Sequence, residues 1–327
     1  MDLTFGPDEE QIADAAAEFL RQRLPVSRAH LEHERQLPAP LQEIAELGWF
    51  AITLPEELGG LGMSVVEDAI VYREIGRFLA PTDILGTSLA AEIAARGGER
   101  ELAGALMAGT AGAGIAIPLP GGAEGEHLLF NAGAEFAATA GPERAALWQV
   151  PTDGKPFSCL DKTIACQIVN LDPASAVAVS DGPTIFRRAL LATAAMQTGL
   201  AEAVLAMIVE YARIRETFGR PIGAYQAVRH PCADMAVRAE AARAQLFYAA
   251  IALRDGMDEA GALIDGASLV ARRAAIANVD RNIQLHGGIG ISEEHDAHLF
   301  MKRAQVLGQF LSSERATLDR LAAAGRA

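Results

Sequence analysis

Cationic side chains are scarce in this chain: 28 Lys and Arg stand against 42 Asp and Glu, a formal charge of −14. Such an imbalance favours solubility and argues against nucleic acid or an anionic membrane as a partner. Aromatic residues make up only 6% of the sequence, which leaves the core to aliphatic side chains. Cysteine is rare, and Cys159, Cys166 and Cys232 fit neither a metal-ligand spacing nor a disulfide framework. An odd, low count suits a reducing cytoplasm. The apolar stretch from Leu190 to Tyr211 is interrupted by Gln197, Glu202 and Glu210, so it reads as a core helix rather than a membrane span. The start, Met1-Asp2-Leu3-Thr4-Phe5, is acidic rather than basic and does not read as a signal peptide. These features together predict a soluble, cytoplasmic protein.

What is abundant is alanine and aliphatic residue. Half of the 327 residues are hydrophobic, which favours a mostly helical chain of two or three packed subdomains. Ile12, Ala15, Ala16, Phe19 and Leu20 recur at helical spacing, and a second helical pattern precedes Gly48. Pro55 to Gly62 is a glycine-broken loop. Ser64 and Glu67 form a capping-box pair for a helix that carries Val65, Ile70, Val71 and Ile75 inward and stops near Gly76 or Pro81. More helix runs to about Met107. After Gly109, short apolar runs at 114–117, 128–130, 147–150, 164–169 and 176–179 alternate with Gly, Pro and Asp, the pattern of short strands in a small β-barrel or sandwich. From Thr184 the helical signal returns, with Met196, Leu200, Val204, Met207, Ile208 and Tyr211 on one face. Further helices are expected from His230 to Arg254, from Glu259 to Leu285, and from Glu293 onward with a break at Gly308. The predicted fold is mainly α with a small β domain: an N-terminal helical domain (1–109), a shortened β-barrel (110–183) and a C-terminal four-helix bundle (184–327).

Two segments carry chemistry. Arg215 falls on the flank of the apolar stripe beside Tyr211 and Ile208, whereas Glu202, Arg213 and Glu216 fall on the far side. A partly buried guanidinium needs an anion, which an internal salt bridge could also provide. Phe218-Gly219, Pro221-Ile222 and Gln226 follow it. A flat ring, a glycine that permits close approach and an amide donor suit the adenine and pyrophosphate of a dinucleotide. The second segment is Gln284-Leu285-His286-Gly287-Gly288-Ile289-Gly290. One glycine would suffice to cap a helix, and three in four positions exceed that need. His286 reads as a hydrogen-bonded core histidine.

With these residues in view, a family resemblance becomes specific. Arg215 to Met235 (RETFGRPIGAYQAVRHPCADM) resembles the acyl-CoA dehydrogenase pattern R-x-x-F-G-x-P-I-x-x-[FY]-Q-x-x-x-H-x-x-A-D-M. Gln284 to Arg303 resembles the same family's second C-terminal signature, and Leu47 to Ser64 its G-W-x-x-x-x-x-P-E-x-x-G-G-x-G loop. The resemblance implies FAD bound at the subunit interfaces of a dimer of dimers. It implies that Arg215, Phe218, Gln226, Gln284, Gly287 and Gly288 hold the adenosine and pyrophosphate end. The implied chemistry is α,β-dehydrogenation of an acyl-CoA thioester, with a glutamate taking the α-proton and electrons passing to an electron-transfer flavoprotein.

The sequence departs from the family in two places. Ile117 to Phe130 (IPLPGGAEGEHLLF) replaces the T-E-P-x-x-G-S-D-like flavin-ring loop, no W-I-T-N-like strand follows, and Asp161-Lys162-Thr163 is a weak remnant. The glutamate of the family's Y-E-G segment falls at about Leu311, and the alternative position, within Phe186 to Gly199, has no acid. Glu314 reads as a solvated helix-surface acid, and no catalytic residue is named. The resemblance therefore points to the shorter, degenerate chain of a heterotetramer acting on sterol side-chain acyl-CoAs, which completes its partner's FAD site. A self-sufficient homotetramer with a relocated base and a non-catalytic scaffold are the alternatives.

Overall fold

The computed structural model describes residues 5–30 and 39–325; Met1 to Thr4, on which the N-terminal reading rests, lie outside them. Helices α1 (Pro7–Arg23), α2 (Leu41–Glu46), α3 (Val65–Arg77), α4 (Asp83–Arg96) and α5 (Arg100–Met107) come first. Seven strands follow: β1 (Ala113–Pro118), β2 (Glu126–Phe130), β3 (Phe136–Ala140), β4 (Arg144–Gln149), β5 (Lys155–Phe157), β6 (Cys166–Asn170) and β7 (Ala178–Asp181). The last part comprises α6 (Gly182–Ile214), a two-strand hairpin of β8 (Glu216–Thr217) and β9 (Arg220–Pro221), α7 (Gln226–Arg254), α8 (Ala260–His286), α9 (Ala297–Leu307) and α10 (Glu314–Ala324). The helix–sheet–helix order is the one the composition predicts. Residue contacts divide the chain into two compact units, one of Met1–Ala29, Ala69–Ala80 and Leu191–Ala327, the other of His30–Asp68 and Pro81–Leu190.

In the second unit the expected small β-barrel is one continuous series of seven strands, β5-β6-β2-β1-β3-β4-β7. All neighbours are antiparallel except β1 and β3, which pair in parallel. Leu129, Ala137, Ala146, Trp148 and Val169 form its small core, and the Trp148 indole N–H donates to the Asp172 carbonyl at 2.9 Å. Two strands were not anticipated. Phe-Ala-Ala-Thr-Ala (β3) is alanine-rich and carries little strand signal, yet its alternate residues are held between β1 and β4. Lys-Pro-Phe (β5) is exposed and tolerates Pro156 because it is an edge strand. Buried Arg188 joins three elements of this unit: its Nε and Nη2 reach Asp68 at 3.0 and 2.9 Å, Nη1 reaches Glu92 at 2.9 Å, and Nη2 reaches Ser88.

In the first unit Leu200, Val204 and Ile208 of α6 meet Met235 of α7, Ala275 and Val279 of α8, and Phe300 and Ala304 of α9. That is a four-helix core with its apolar seam where the helical periodicity places it. Buried Asn278 fastens three of these helices. Its amide donates to the carbonyls of Ala201 and Met235 at 3.2 and 3.0 Å and accepts from Arg238 Nε at 2.9 Å. α6 is apolar and long enough to cross a membrane, but 67% of its most apolar window is buried, as a core helix requires. α3 starts at the predicted capping box: Glu67 accepts from the Ser64 N–H at 2.8 Å, and Ser64 Oγ accepts from the Val66 N–H at 3.1 Å. α7 begins at Gln226, four residues before the expected His230.

Candidate cofactor-binding surface

α6 ends at Ile214, so Arg215 lies beyond the helix and not on the flank of its apolar stripe. This corrects the expectation of a partly buried guanidinium: the residue is exposed, and no hydrogen bond or ion pair ties its side chain to the described residues. Its backbone, in contrast, is fixed. The Arg215 N–H donates to Tyr211 O at 2.9 Å, and its carbonyl accepts from Ile222 N at 2.8 Å. The positive group is thus carried on a hydrogen-bonded stem with no ion-pair partner among the described residues.

Between those fixed points the chain makes a two-residue hairpin. Thr217 pairs with Arg220, leaving Phe218 and Gly219 as the loop. Both have positive φ, 52° and 76°, the requirement of a type I′ turn. Glycine meets that requirement freely, but phenylalanine does so against steric strain. Its ring gains nothing from the chain in return, because Phe218 is 98% exposed. The turn is braced from below: Tyr225 Oη donates to Thr217 O at 2.9 Å, and the Arg220 guanidinium lies 4.1 Å from the centre of the Tyr225 ring. Gln226, exposed, opens α7 immediately after it.

The second segment closes α8. Gln284 is exposed on its last turn, and the three glycines beyond it have separable roles. Gly287 has φ 69°, so it serves the helix end. Gly290 is a packing glycine: a β-carbon there would lie 2.7 Å from Ile283 O. Gly288 has neither reason, since its φ is not positive and a β-carbon would meet nothing within 4 Å. Two adjacent glycines with open space above them leave backbone that a ligand can approach closely.

His286 is the core histidine the sequence suggests. It is buried, its Nδ1 lies 2.8 Å from Asn282 O, and its ring stacks on Tyr211 with centroids 4.4 Å apart. Burial pushes its pKa below the usual imidazole value, the Asn282 bond opposes that, and neighbouring His295 adds to it.

The expected base position holds no carboxylate. Leu311 sits between α9 and α10 with φ 57°, and the segment is fastened by Arg272, which donates to the Ser312 carbonyl. Glu314 opens α10 and is held by Arg273 at 2.6 Å, which puts it in a surface ion pair and not in a site. Glu202 corrects another expectation. It does not face solvent but meets Arg73 at 2.8 Å, in a cluster with Glu74 and Arg77, and its burial raises its pKa. Asp161 is spent locally, accepting from the Thr163 N–H and Oγ1. A cavity of about 260 Å³ in the second unit, bordered by Thr82, Asp83, Asn131 and Glu135, contains none of the six predicted residues.

The hairpin tip and the helix end each leave exposed groups without an evident role in the fold, and comparison with known proteins identifies the family. The acyl-CoA dehydrogenase N-terminal domain model matches residues 6–112 and the acyl-CoA dehydrogenase C-terminal domain model matches 184–311. The chain belongs to the acyl-CoA dehydrogenase family. It is 35% identical to acyl-CoA dehydrogenase IpdE2 of Mycobacterium tuberculosis over 277 residues, covering 84% of this chain and 83% of the relative. Among solved structures it resembles the ChsE4-ChsE5 complex from Mycobacterium tuberculosis, with TM-score 0.83, 22% identity and coverage of 100% of this chain and 99% of the other. It also resembles the Tcur3481-Tcur3483 steroid acyl-CoA dehydrogenase, with TM-score 0.79, 24% identity and 99% of both chains covered. The two stretches matched by the family models flank residues 113–183, the region where the flavin-ring loop is replaced.

Proposed function

We propose that this chain is one subunit of a heterotetrameric acyl-CoA dehydrogenase, two copies each of two related chains. In it Arg215, Phe218, Gln226, Gln284, Gly287 and Gly288 hold the adenosine and pyrophosphate end of FAD. The second chain supplies the base that this one lacks. The observation that carries this reading is a phenyl ring held, at a cost in backbone strain, in a position where it touches nothing of its own chain. Strain kept at an exposed tip is strain kept for an occupant.

FAD, when bound, supplies the hydride acceptor for α,β-dehydrogenation. What this chain contributes is binding and orientation. The Arg215 guanidinium offers several N–H donors to phosphate oxygens, the kind of charge-assisted bond that is strongest. Phe218 offers a flat apolar face, Gln226 and Gln284 offer amides, and Gly287 and Gly288 let the ligand lie against backbone. Removal of the α-proton needs a carboxylate within hydrogen-bond reach of it, and Leu311 provides none. Two features support a heteromer: the missing acid, and the two-chain makeup of the ChsE4-ChsE5 complex and the Tcur3481-Tcur3483 steroid enzyme. The latter also supports a steroid-derived acyl-CoA as substrate. An electron-transfer flavoprotein as acceptor rests on the family resemblance alone.

Arg215→Ala tests the cofactor role. Because Arg215 has no side-chain partner among the described residues, the variant should keep its melting temperature while flavin per assembled complex falls by roughly tenfold or more, as loss of a charged hydrogen bond predicts. An unchanged flavin content contradicts the reading.

A further inference from the structure

The 215–219 hairpin and the 284–288 helix end of the proposed FAD surface are far apart in sequence, and what joins them is a short ladder of side chains. Asn282 of α8 donates to the Met207 sulfur of α6 at 3.4 Å. One helical turn further along both helices, Tyr211 and His286 stack with centroids 4.4 Å apart and planes 29° from parallel. Counting forward on both helices at once means that α6 and α8 finish side by side. The 215–219 hairpin and the Gly287-Gly288 step therefore leave from one end of the bundle. His295, from the turn before α9, also meets His286, with ring centroids 4.6 Å apart and planes tilted by 56°.

The two imidazoles of this stack are fixed by bonds to backbone. His286 Nδ1 faces Asn282 O, so that nitrogen carries the proton and donates. His295 Nδ1 accepts from the Ala297 N–H at 3.1 Å, so its proton is on Nε2 when neutral. Tyr211 is tied through its carbonyl, the acceptor for the Arg215 N–H. The residue that stacks on His286 is thus the residue that anchors the first amide of the hairpin stem. The stacked rings thus belong to residues within one helical turn of Arg215 and Gly287.

We infer that the Tyr211–His286–His295 stack is a positioning clamp. It touches no ligand itself, but it holds the Arg215–Phe218 hairpin and the Gln284–Gly288 helix end in the single register needed to grip one dinucleotide. The inference rests on the FAD reading given above. It assigns a purpose to a buried histidine that the proposed cofactor contacts do not use. It also accounts for an aromatic stack at the end of a bundle core made mostly of aliphatic side chains and alanine.

The test compares Tyr211→Leu and His286→Leu, which remove a ring, with Tyr211→Phe and His286→Phe, which keep it, using Arg215→Ala as reference. Two quantities are read in the assembled complex: hydrogen exchange of the 215–222 amides, and the rate of FAD loss into flavin-free buffer. The ring-deleting variants should raise exchange in the hairpin, which lies far in sequence from position 286, and release FAD about three- to tenfold faster, the range set by one aromatic contact. The ring-keeping variants should stay within about twofold of the unmodified chain. Unchanged exchange at 215–222 in His286→Leu overturns the clamp. So does faster exchange with unaltered FAD loss in a series where Arg215→Ala does release FAD. If Arg215→Ala itself retains FAD, the cofactor reading is at fault, and the clamp's role in positioning falls with it. Should His286→Leu not fold, Tyr211→Leu against Tyr211→Phe gives the same contrast.

Discussion

Phe218 and Gly219 take successive positive φ angles of 52° and 76°, and only one of the two is a residue suited to it. An Asn-Gly pair would fit the same turn without strain. Phe218→Asn should therefore stabilise the chain by about 1 kcal/mol in urea unfolding, since a bulky side chain in this region carries roughly that cost, which the short, locally hydrogen-bonding Asn largely escapes. The same substitution should lower flavin content. Reduced stability would mean that the phenyl ring is packed in the free chain.

Arg188→Ala removes the guanidinium between two buried carboxylates, Asp68 and Glu92. Breaking a buried pair by deleting one partner costs about 3–5 kcal/mol. Asp68 already has its pKa raised, mainly by burial, with Arg188 pulling it down. Without Arg188 it should rise further, so the deficit should shrink as pH is lowered and Asp68 takes up a proton. Parallel unfolding curves at neutral and acidic pH measure this; a deficit that does not change with pH contradicts it.

Gly199 of α6 packs on α3 so closely that a β-carbon would lie 1.8 Å from Arg73 O, and Gly76 of α3 faces Met196 O at 2.0 Å in the same sense. Alanine is the better helix former by about 1 kcal/mol, so an uncrowded site would gain from the change. Here Gly199→Ala should lose about 1–3 kcal/mol, because the helices must separate. A gain in melting temperature would show that the crossing is loose.

His286 has a lowered pKa in the folded chain, chiefly from burial. The folded form then binds fewer protons than the unfolded form just below about pH 6.5, the ordinary imidazole value. Its contribution to stability is intact above that pH and is lost as pH falls through the folded pKa. His286→Phe should flatten the acid side of the stability profile while leaving the neutral side near its original level. Profiles that stay parallel contradict the assignment.

The sequence revealed most where a structure is built from neighbours in the chain. The α6 stripe and the Ser64–Glu67 box are local patterns, and the folded chain uses them as read. It revealed least where the decisive contact is remote. Glu202 looks solvent-facing on its own helix and becomes buried only because α3 brings Arg73 to it. β3 is held between two neighbours rather than by its own preference. Arg215 was placed on the helix flank because periodicity does not say where a helix stops, and α6 ends one residue earlier. The motif segments themselves were legible, but the strain at Phe218 was not, since φ is not written in a residue name.

The account turns on whether this chain needs a second one. Native mass measurement with flavin counting, on the chain purified alone and after co-expression with a longer acyl-CoA dehydrogenase chain, addresses that directly. The prediction is little FAD on the chain alone and a flavin-bearing heterotetramer from the co-expressed pair. A yellow, fully active homotetramer of this chain alone would contradict it.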